Sequence, residues 1–406
     1  MDLTGVMLRA GAARPHVLIA AMPGGTAVRV AAEQELRRSG WPAAMTPADA
    51  DVLLVAGDPA ASFEGVLDAA WRAMPAPRAR AQASRPGEVA AALETARARL
   101  RDRSGQQALA AGSGRDGTAG GHGHEPASRD PGHHGHEMGT ANADAMGGET
   151  HHDHDMDGME MPGGLPMADR GADRDGLRLD QLHVPLGPVL PDWPAGLVVH
   201  LTLQGDVVQH AEVQVLGHGR GGSFWTEPWR RAAAGEPVTT EEAARRRAAA
   251  DLDRLGRFLA VAGWDDAAIA ARRLRDDALA GVPGSQLRPA AGRLARRVAR
   301  SRPLAWLTRG LGVLLPDNGA AGPALDVAGD VTARYRRWCA ELDAAALDDG
   351  SPLGSLADIR TPAAGLLAVL PRLLDGADLA AARLIIASLD PDLDDLPALA
   401  TASHDH

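Results

Sequence analysis

The segment between Gly121 and Met167 contains the residue types that most clearly indicate chemistry. It holds eight histidines and six methionines, with Asp and Glu interspersed. Neutral imidazoles bind Zn, Ni and Cu, and thioethers add a preference for Cu(I). We therefore expect the segment to bind a divalent transition metal, Zn, Ni or Cu. The candidate ligands are His122, His124, His133, His134, His136, His151, His152, His154, Met156, Met159 and Met161.

The alternative for this segment is a tether with no physiological metal. Residues 106–175 lack the hydrophobic periodicity of the flanking sequence and are dominated by Gly, His, Asp and Met. Such a composition cannot bury enough apolar surface to pack a core. We therefore predict a disordered linker, and no spacing within it specifies a closed coordination geometry.

The residues before this linker predict a small α/β domain at 1–105. Strand-like apolar runs, at His16–Ala21 and Asp51–Ala56, alternate with Ala-rich helical runs that follow Gly25 and Ser62. Alternation of this kind is typical of a parallel sheet with helices packed against it.

The residues after the linker predict an α+β domain at 176–396, followed by a short tail at 397–406. Leu197–Leu203 and Val207–Leu216 flank a Gln-Gly-Asp turn, which is the pattern of an antiparallel hairpin. From Thr239 onward, apolar residues recur at helical spacing. We expect a helical bundle packed against a small antiparallel sheet.

Composition excludes several classes of protein. The chain has 406 residues and a net charge of -11, which argues against general affinity for nucleic acid. No apolar run approaches the roughly 18 residues that cross a bilayer. We expect a cytoplasmic protein that reaches membranes peripherally, through partner proteins.

All of the basic residues are arginines, and six of them lie close together on a predicted helix. These are Arg288, Arg293, Arg296, Arg297, Arg300 and Arg302. A solvated helix face is the simplest interpretation of such a cluster. The alternative is a face that docks on an acidic protein surface or on lipid headgroups.

Three groups of residues in the second half resemble one known family, and they occur in the family's order. The first group is Gly187, Pro188, Pro191, Gly196, Leu203, Gly205, Asp206 and Val207. The second group is Arg309, Gly310, Gly312, Val313, Gly322, Pro323, Leu325 and Gly329. The third is the run Ile386–Pro391. Together they resemble the D-type component of NADH-quinone oxidoreductase (respiratory complex I), a family related to the large subunits of nickel-iron hydrogenases.

The first half resembles the B-type component of the same enzyme, which is the cluster-bearing partner of the D-type component. The resemblance rests on the strand Asp51–Gly57 and on Met74–Pro77. The two resemblances imply a natural fusion of B-like and D-like parts through the His-rich linker, with an α+β fold like that of hydrogenase large subunits in the second half.

Departures from the B family concern the cysteines that hold iron-sulfur clusters. Pro23–Thr26 and Ala83–Ser84 stand at positions where the family places cluster ligands, and Cys339 is the chain's single cysteine. Thiolates are the usual ligands of such clusters. The resemblance therefore implies a B-like part that has no redox centre.

Departures from the D family concern the quinone and nickel sites. Leu190 and the neighbourhood of Pro194 and Ala195 replace the histidines of the Gly-Pro loop, and Asp326 replaces an arginine. Asp392–Asp395 contains no Cys-x-x-Cys for nickel. We expect no redox cofactor and no catalytic residue in this part either.

Three hypotheses follow for the function. The first is a scaffold or coupling protein that docks on complex I-like or antiporter-like membrane subunits and has lost its own redox centres. The second is a metal-binding or metal-delivery protein that acts through the His/Met-rich segment. The third is a participant in NADH-quinone electron transfer whose redox centres are supplied by partner chains.

Overall fold

A computed structural model of the chain describes most of the residues outside the His/Met-rich segment. The described residues are 13–116, 169–172, 178–217, 222–315, 327–344 and 362–396. The predicted linker ligands and the predicted tail at 397–406 lie outside them.

The first unit, residues 13–116, contains the predicted parallel sheet. Its strands are β1 (Val17–Ala21), β2 (Val52–Ala56) and β3 (Ala79–Ala83), hydrogen-bonded in the order β1-β2-β3. Its helices are α1 (Thr26–Ser39), α2 (Glu64–Ala73), α3 (Val89–Arg101) and α4 (Arg103–Asp116). The alternation of strands and helices that the sequence predicts for this half is confirmed.

The central strand β2 is buried along its whole length because helices cover both faces of the sheet. Leu54 and its neighbours on one face pack with α1 and α3, whereas Leu53 and Val55 on the other pack with Phe63 and Leu67. Side chains that alternate between two cores explain the unbroken apolar run of this strand.

The second unit begins with an antiparallel sheet. Its strands are β4 (Asp169–Ala172), β5 (Arg178–Leu186), β6 (Leu197–Gln204) and β7 (Val207–Val215), hydrogen-bonded in chain order. The predicted hairpin is confirmed as β6 and β7, with Gly205 in the left-handed region at its turn (φ +61°). Val199, Leu201 and Leu203 point to the buried face and pack against the helices.

Eight helices complete the described part of the second unit. They are α5 (Glu227–Ala233), α6 (Thr240–Val261), α7 (Asp265–Leu279), α8 (Gly284–Ala299), α9 (Arg302–Thr308), α10 (Val331–Ala344), α11 (Ala363–Leu374) and α12 (Leu379–Leu389). Thr239 caps α6 by accepting a hydrogen bond from the Glu242 amide at 3.1 Å. None of the described helices is long and apolar enough to cross a bilayer.

The two units pack directly against each other. Val30 of α1 is buried among Trp225 and Ala249 of the second unit. Val189 and Leu216, which flank β6 and β7, pack in turn against the core beneath the first sheet. This junction places the start of α1 beside the ends of β7 and α12.

Candidate functional site at the junction of the units

Three segments that are distant in the sequence meet at the junction. They are the turn before α1, the loop before β6 and the residues after α12. Together they line a small cavity of about 30 Å³, enough for on the order of one water molecule. The polar and aromatic side chains of its lining are Thr26, Arg29, Trp193, Trp225, Arg257, Asp392 and Asp394.

Asp394 lies at the N-terminal end of α1. Its Oδ1 accepts a hydrogen bond from the Gly24 amide at 2.6 Å, and the Thr26 hydroxyl donates to its Oδ2 at 3.5 Å. Burial and the neighbouring Asp392 carboxylate nevertheless raise the pKa of Asp394 to about 6. Desolvation outweighs the hydrogen bonds that favour the anion. This carboxyl group can therefore exchange a proton close to neutral pH.

Asp392, two residues before Asp394, is bound by Ser223. The buried Ser223 hydroxyl donates to Asp392 Oδ2 at 2.5 Å, and the Ser223 amide donates to Asp395 Oδ1 at 3.4 Å. The acidic segment after α12 is thus bound by the second unit through Ser223 and by the first unit through the turn at Gly24.

A network of five arginines and five carboxylates continues from the cavity along one face of α1. Within α1, Arg29, Glu33 and Arg37 follow at intervals of four residues and so share that face. The other seven members belong to the second unit. The whole set is Arg29, Arg37, Arg257, Arg272 and Arg275 with Glu33, Asp192, Asp253, Asp276 and Asp390.

The network crosses the junction at four ion pairs, one of them between Arg272 Nε and Glu33 Oε2 at 3.7 Å. Arg29 Nη2 lies 2.7 Å from Asp253 Oδ2, Glu33 Oε2 lies 2.7 Å from Arg275 Nη1, and Arg37 pairs with Asp276. Arg275 Nη1 also lies 2.6 Å from Asp253 Oδ1. Because the side chains of Asp253 and Arg275 are fully buried, water screens these attractions only weakly.

The arginines keep the central carboxylates ionised. Burial alone would raise the pKa of Glu33, but Arg275 and Arg29 lower it to about 2. Burial likewise disfavours the Asp253 anion, yet the same two arginines hold its pKa well below the usual range. Asp192 differs, because burial raises its pKa despite its arginine partner. The core of the network is therefore fully charged at neutral pH.

Two of the carboxylates occupy backbone conformations that residues other than glycine rarely adopt. Asp192 has φ +60° and Asp390 has φ +46°, and they are the two such residues in the described part of the chain. Asp192 pairs with Arg272, and Asp390 with Arg257. A left-handed conformation costs roughly 1–2 kcal/mol. The ion pairs stabilise both turns against this cost.

The positions that the resemblance assigns to cluster cysteines are filled by other contacts. A Cβ atom added to Gly25 would lie 2.1 Å from the Ala56 carbonyl oxygen, so the turn has no room for any side chain there. The Ser84 hydroxyl donates to Asp58, and the Ser84 amide donates to Glu88 at 2.9 Å. The residues present do not fit an iron-sulfur cluster.

The positions that the resemblance singles out in the second half fall partly around the cavity. Pro194 and Ala195 line it, whereas Leu190 is half-buried against the main core of the second unit. Cys339 is buried on α10, and burial raises the pKa of its thiol to about 12. Asp326 lies outside the described residues.

The predicted metal ligands, from His122 to Met161, all lie outside the described residues, so the metal site stays a prediction. Within the part that the structure describes, no group of three or more His, Cys, Asp or Glu side chains is arranged to hold a metal ion. His200 Nε2 instead shares a hydrogen bond with Gln214 Oε1 at 2.9 Å.

The ionic network was not predicted from the sequence, although one signal for it is present. Asp253 lies between Leu252 and Leu255, in the apolar pattern that predicts the buried side of α6. A charged side chain at such a position requires a partner of opposite charge. The sequence does not reveal that one of its partners, Arg29, comes from the first unit.

Comparisons with known proteins leave the family open. No protein-family model matches the chain, and no curated protein matches it. One solved structure to which it is similar is that of the membrane-bound sulfane sulfur reductase (MBS), an archaeal respiratory membrane complex. The identity is 15%, the TM-score is 0.37, and the match covers 53% of this chain and 99% of that chain. A likeness of this size assigns neither a family nor a function.

Proposed function

We propose that the chain is a scaffold or coupling component of a complex I-like, membrane-associated assembly, and that it has no redox centre of its own. The observation that carries the proposal is the meeting of three segments at one cavity. The resemblance independently assigned Pro23–Thr26, Pro194–Ala195 and Asp392–Asp395 to cluster, quinone and nickel positions. Residues of all three segments line the cavity, although the segments are distant in the sequence: Thr26, Pro194, Ala195, Asp392 and Asp394.

The chemistry of this cavity supports a role without electron transfer. Among the described residues, none of those that line it carries a thiol or an imidazole, and Gly25 leaves no space for a cysteine. Cys339 is far along the chain on α10, and its raised pKa keeps the thiol protonated. A centre in this chain would need ligands that these positions do not supply.

The ionic network supports a scaffold role. It joins α1 of the first unit to α6 and α7 of the second through buried ion pairs with short distances. Charged groups of this kind leave each other only at high cost, since each would then be buried without its partner. Two units with a fixed mutual orientation can present a composite surface to a partner protein.

The test is purification of the tagged chain from membranes of the organism that encodes it, under mild detergent. We expect antiporter-like or complex I-like membrane subunits to co-purify. Cys339→Ala serves as a matched variant, since loss of the single thiol should leave the association unchanged. Recovery of the chain without any such membrane protein would refute the proposal.

The same preparation tests the hypothesis of electron transfer through partner-supplied centres. Electron paramagnetic resonance should show cluster signals only in fractions that contain partner chains. A cluster signal in the isolated chain would contradict the loss of its own redox centres.

A second candidate function, metal binding or delivery, rests on the eight histidines and six methionines between 121 and 167. Titration with Zn²⁺, Ni²⁺ and Cu²⁺ should show binding that disappears when residues 121–167 are deleted. A deletion that also leaves a metal-dependent growth phenotype unchanged would remove this candidate.

A further inference from the structure

Residues 284–315, here called the basic face, expose an unusual amount of apolar surface. Eight large hydrophobic residues of the described chain are exposed, and four of them lie at the C-terminal end of this segment: Trp306, Leu307, Val313 and Leu315. Trp306 is 84% exposed. Clustered exposed apolar side chains of this kind mark interaction surfaces.

The short helix α9 turns two of these side chains outward. It buries Leu304, Ala305 and Thr308 against the rest of the second unit. Because side chains on a helix follow one another around its axis, burial of these three leaves Trp306 and Leu307 on the opposite side. Their exposure is a product of the fold and does not come from a frayed end.

The segment after α9 presents the other two side chains by strand-like alternation. Leu314 is buried and forms an antiparallel bridge with Gly329, with hydrogen bonds of 3.0 and 2.8 Å. Its neighbours Val313 and Leu315 therefore point away from the core. Arg334 stabilises this bridge by donating to the Gly329 carbonyl at 2.9 Å.

The chain segment that carries these apolar side chains is rich in positive charge. Residues 278–316 contain no Asp or Glu, in a chain whose net charge is -11. Of their arginines, only Arg296 pairs with a carboxylate of the described residues, that of Asp343. The arginines of this segment are Arg288, Arg293, Arg296, Arg297, Arg300, Arg302 and Arg309.

We propose that the basic face binds directly to an anionic lipid bilayer, with Trp306 and Leu307 at the level of the headgroups. Tryptophan favours the membrane interface, and arginines near an anionic leaflet each add attraction while their apolar stems stay in contact with the lipid. A bilayer is an extended anionic surface, and a segment with seven arginines and no acidic residue of its own matches it.

An acidic protein is the competing occupant, and the observations favour it less. Protein interfaces place arginines against carboxylates at defined positions, as the junction of the two units does. On the basic face, the exposed indole of Trp306 is instead flanked in the chain by Arg302 and Arg309, which are exposed and have no carboxylate partner among the described residues. The proposed lipid contact requires no partner protein and is therefore separate from the proposed function.

The experiment is vesicle flotation with the purified full-length chain. Vesicles of phosphatidylcholine alone are compared with vesicles in which about one lipid in three is phosphatidylglycerol, at low and raised salt. We expect flotation with the anionic vesicles only, and weaker flotation as salt increases. Failure to float with anionic vesicles at low salt would overturn the proposal.

Variants then locate the contact. The pair Arg302→Glu with Arg309→Glu and the single change Trp306→Ala should each lower the partition coefficient, the pair by roughly tenfold or more. Controls are Arg72→Glu with Arg101→Glu, which make the same change in net charge, and Leu182→Ser, at a residue that is 56% exposed. These controls should float like the unmodified chain.

Two results would contradict the proposal even if the chain floats. Equal flotation of the test and control variants would place the lipid contact elsewhere on the molecule. Unchanged flotation of the test variants, together with loss of a co-purifying acidic protein, would assign the basic face to that protein. Thermal unfolding of each variant checks that a loss of flotation does not come from misfolding.

Discussion

Arginine side chains are buried in ion pairs at the junction, whereas on the basic face they are exposed to solvent. At the junction, five arginines meet five carboxylates, and the side chain of none of these arginines is more than 23% exposed. On the basic face, seven arginines have a single carboxylate partner among the described residues, Asp343. The chain contains no lysine, so the two regions differ in their surroundings and not in the type of cation.

The difference shows that the local supply of carboxylates decides where arginine is placed. Helices α1, α6 and α7 carry Asp and Glu among their arginines, whereas residues 278–316 carry none. A guanidinium group tolerates burial when carboxylates pair with it, because it is weakly hydrated and donates in a fixed planar geometry. Without such partners it stays in water, where it remains available to an external anion.

Arg334 is an intermediate case between the two regions. It is fully buried, and its donors reach Ser388 Oγ at 2.9 Å, the Gly312 carbonyl at 3.0 Å and the Gly329 carbonyl at 2.9 Å. Burial lowers its pKa to about 10. Neutral oxygens thus replace carboxylates, and the residue holds in place the segment that displays Val313 and Leu315.

Replacement of Asp253 should give the largest effect on stability. Asp253→Asn removes the anion that Arg29, Arg257 and Arg275 share, which leaves three largely buried cations undercompensated. We expect a loss of about 3–5 kcal/mol in the free energy of unfolding, measured by urea denaturation. Asp343→Asn is the matched control in an exposed ion pair and should cost no more than about 1 kcal/mol. Similar costs at both sites would contradict the distinction between the regions.

Replacement of Arg334 should give the second largest loss in the free energy of unfolding. Arg334→Met keeps much of the volume but leaves buried carbonyl oxygens without donors, so we expect a loss of about 2–4 kcal/mol. Arg336→Met is its control, because Arg336 is exposed and donates to one carbonyl, that of Ala299, at 3.2 Å. Denaturation of both variants under the same conditions makes the comparison. A cost for Arg334→Met as small as that of its control would show that carbonyl partners do not hold this arginine.

Replacement of Asp394 in the cavity should change the free energy of unfolding by a smaller amount. This change should depend on pH, and the variant should be the more stable protein. The pKa of Asp394 is raised from 3.8 to about 6 in the folded chain, so folding becomes more favourable as pH falls through 6. Asp394→Asn removes the buried charge and can still accept from Gly24. We expect it to be more stable than the unmodified chain by about 1–3 kcal/mol near pH 8, by about half as much near pH 5, and to be nearly equal near pH 4.

The direction in which stability changes with pH distinguishes Asp394 from the ionic network. The pKa of Glu33 is lowered from 4.5 to about 2, so its contribution to stability is lost only as pH falls below 4.5. Thermal unfolding across a pH series should therefore show a gain that Asp394→Asn abolishes, followed by an acid-induced loss that it does not change. A flat profile between about pH 8 and pH 5 in the unmodified chain would contradict the raised pKa.

Much of the fold could be predicted from the sequence because it depends on local patterns. The parallel strands at Val17–Ala21 and Val52–Ala56, the hairpin around Gly205 and the start of α6 at Thr239 follow from alternation, turn residues and capping. Proline is a less reliable indicator of where a helix begins or ends. Pro283 and Pro362 precede helices, but Pro289 lies inside α8.

The candidate site could be predicted only in part, because it is assembled from distant segments. The resemblance pointed to Asp392–Asp395 and to the turn at Gly24–Thr26 separately, yet the hydrogen bond between Gly24 and Asp394 joins residues 370 positions apart. The pairing of Arg29 with Asp253 joins the two units in the same way. Hydrophobic periodicity places a residue on a helix face but does not identify the helix it meets.

The smallest effect on stability should come from the basic face, and this prediction tests the comparison most directly. Arg302 and Arg309 are exposed and have no carboxylate partner among the described residues, so their removal exposes no buried charge. The double change Arg302→Ala with Arg309→Ala should alter the free energy of unfolding by no more than about 0.5 kcal/mol. Urea denaturation beside Asp253→Asn provides the measurement. A loss above about 2 kcal/mol would make these arginines structural, and a face that contributes so much to folding would not be free for an external anion.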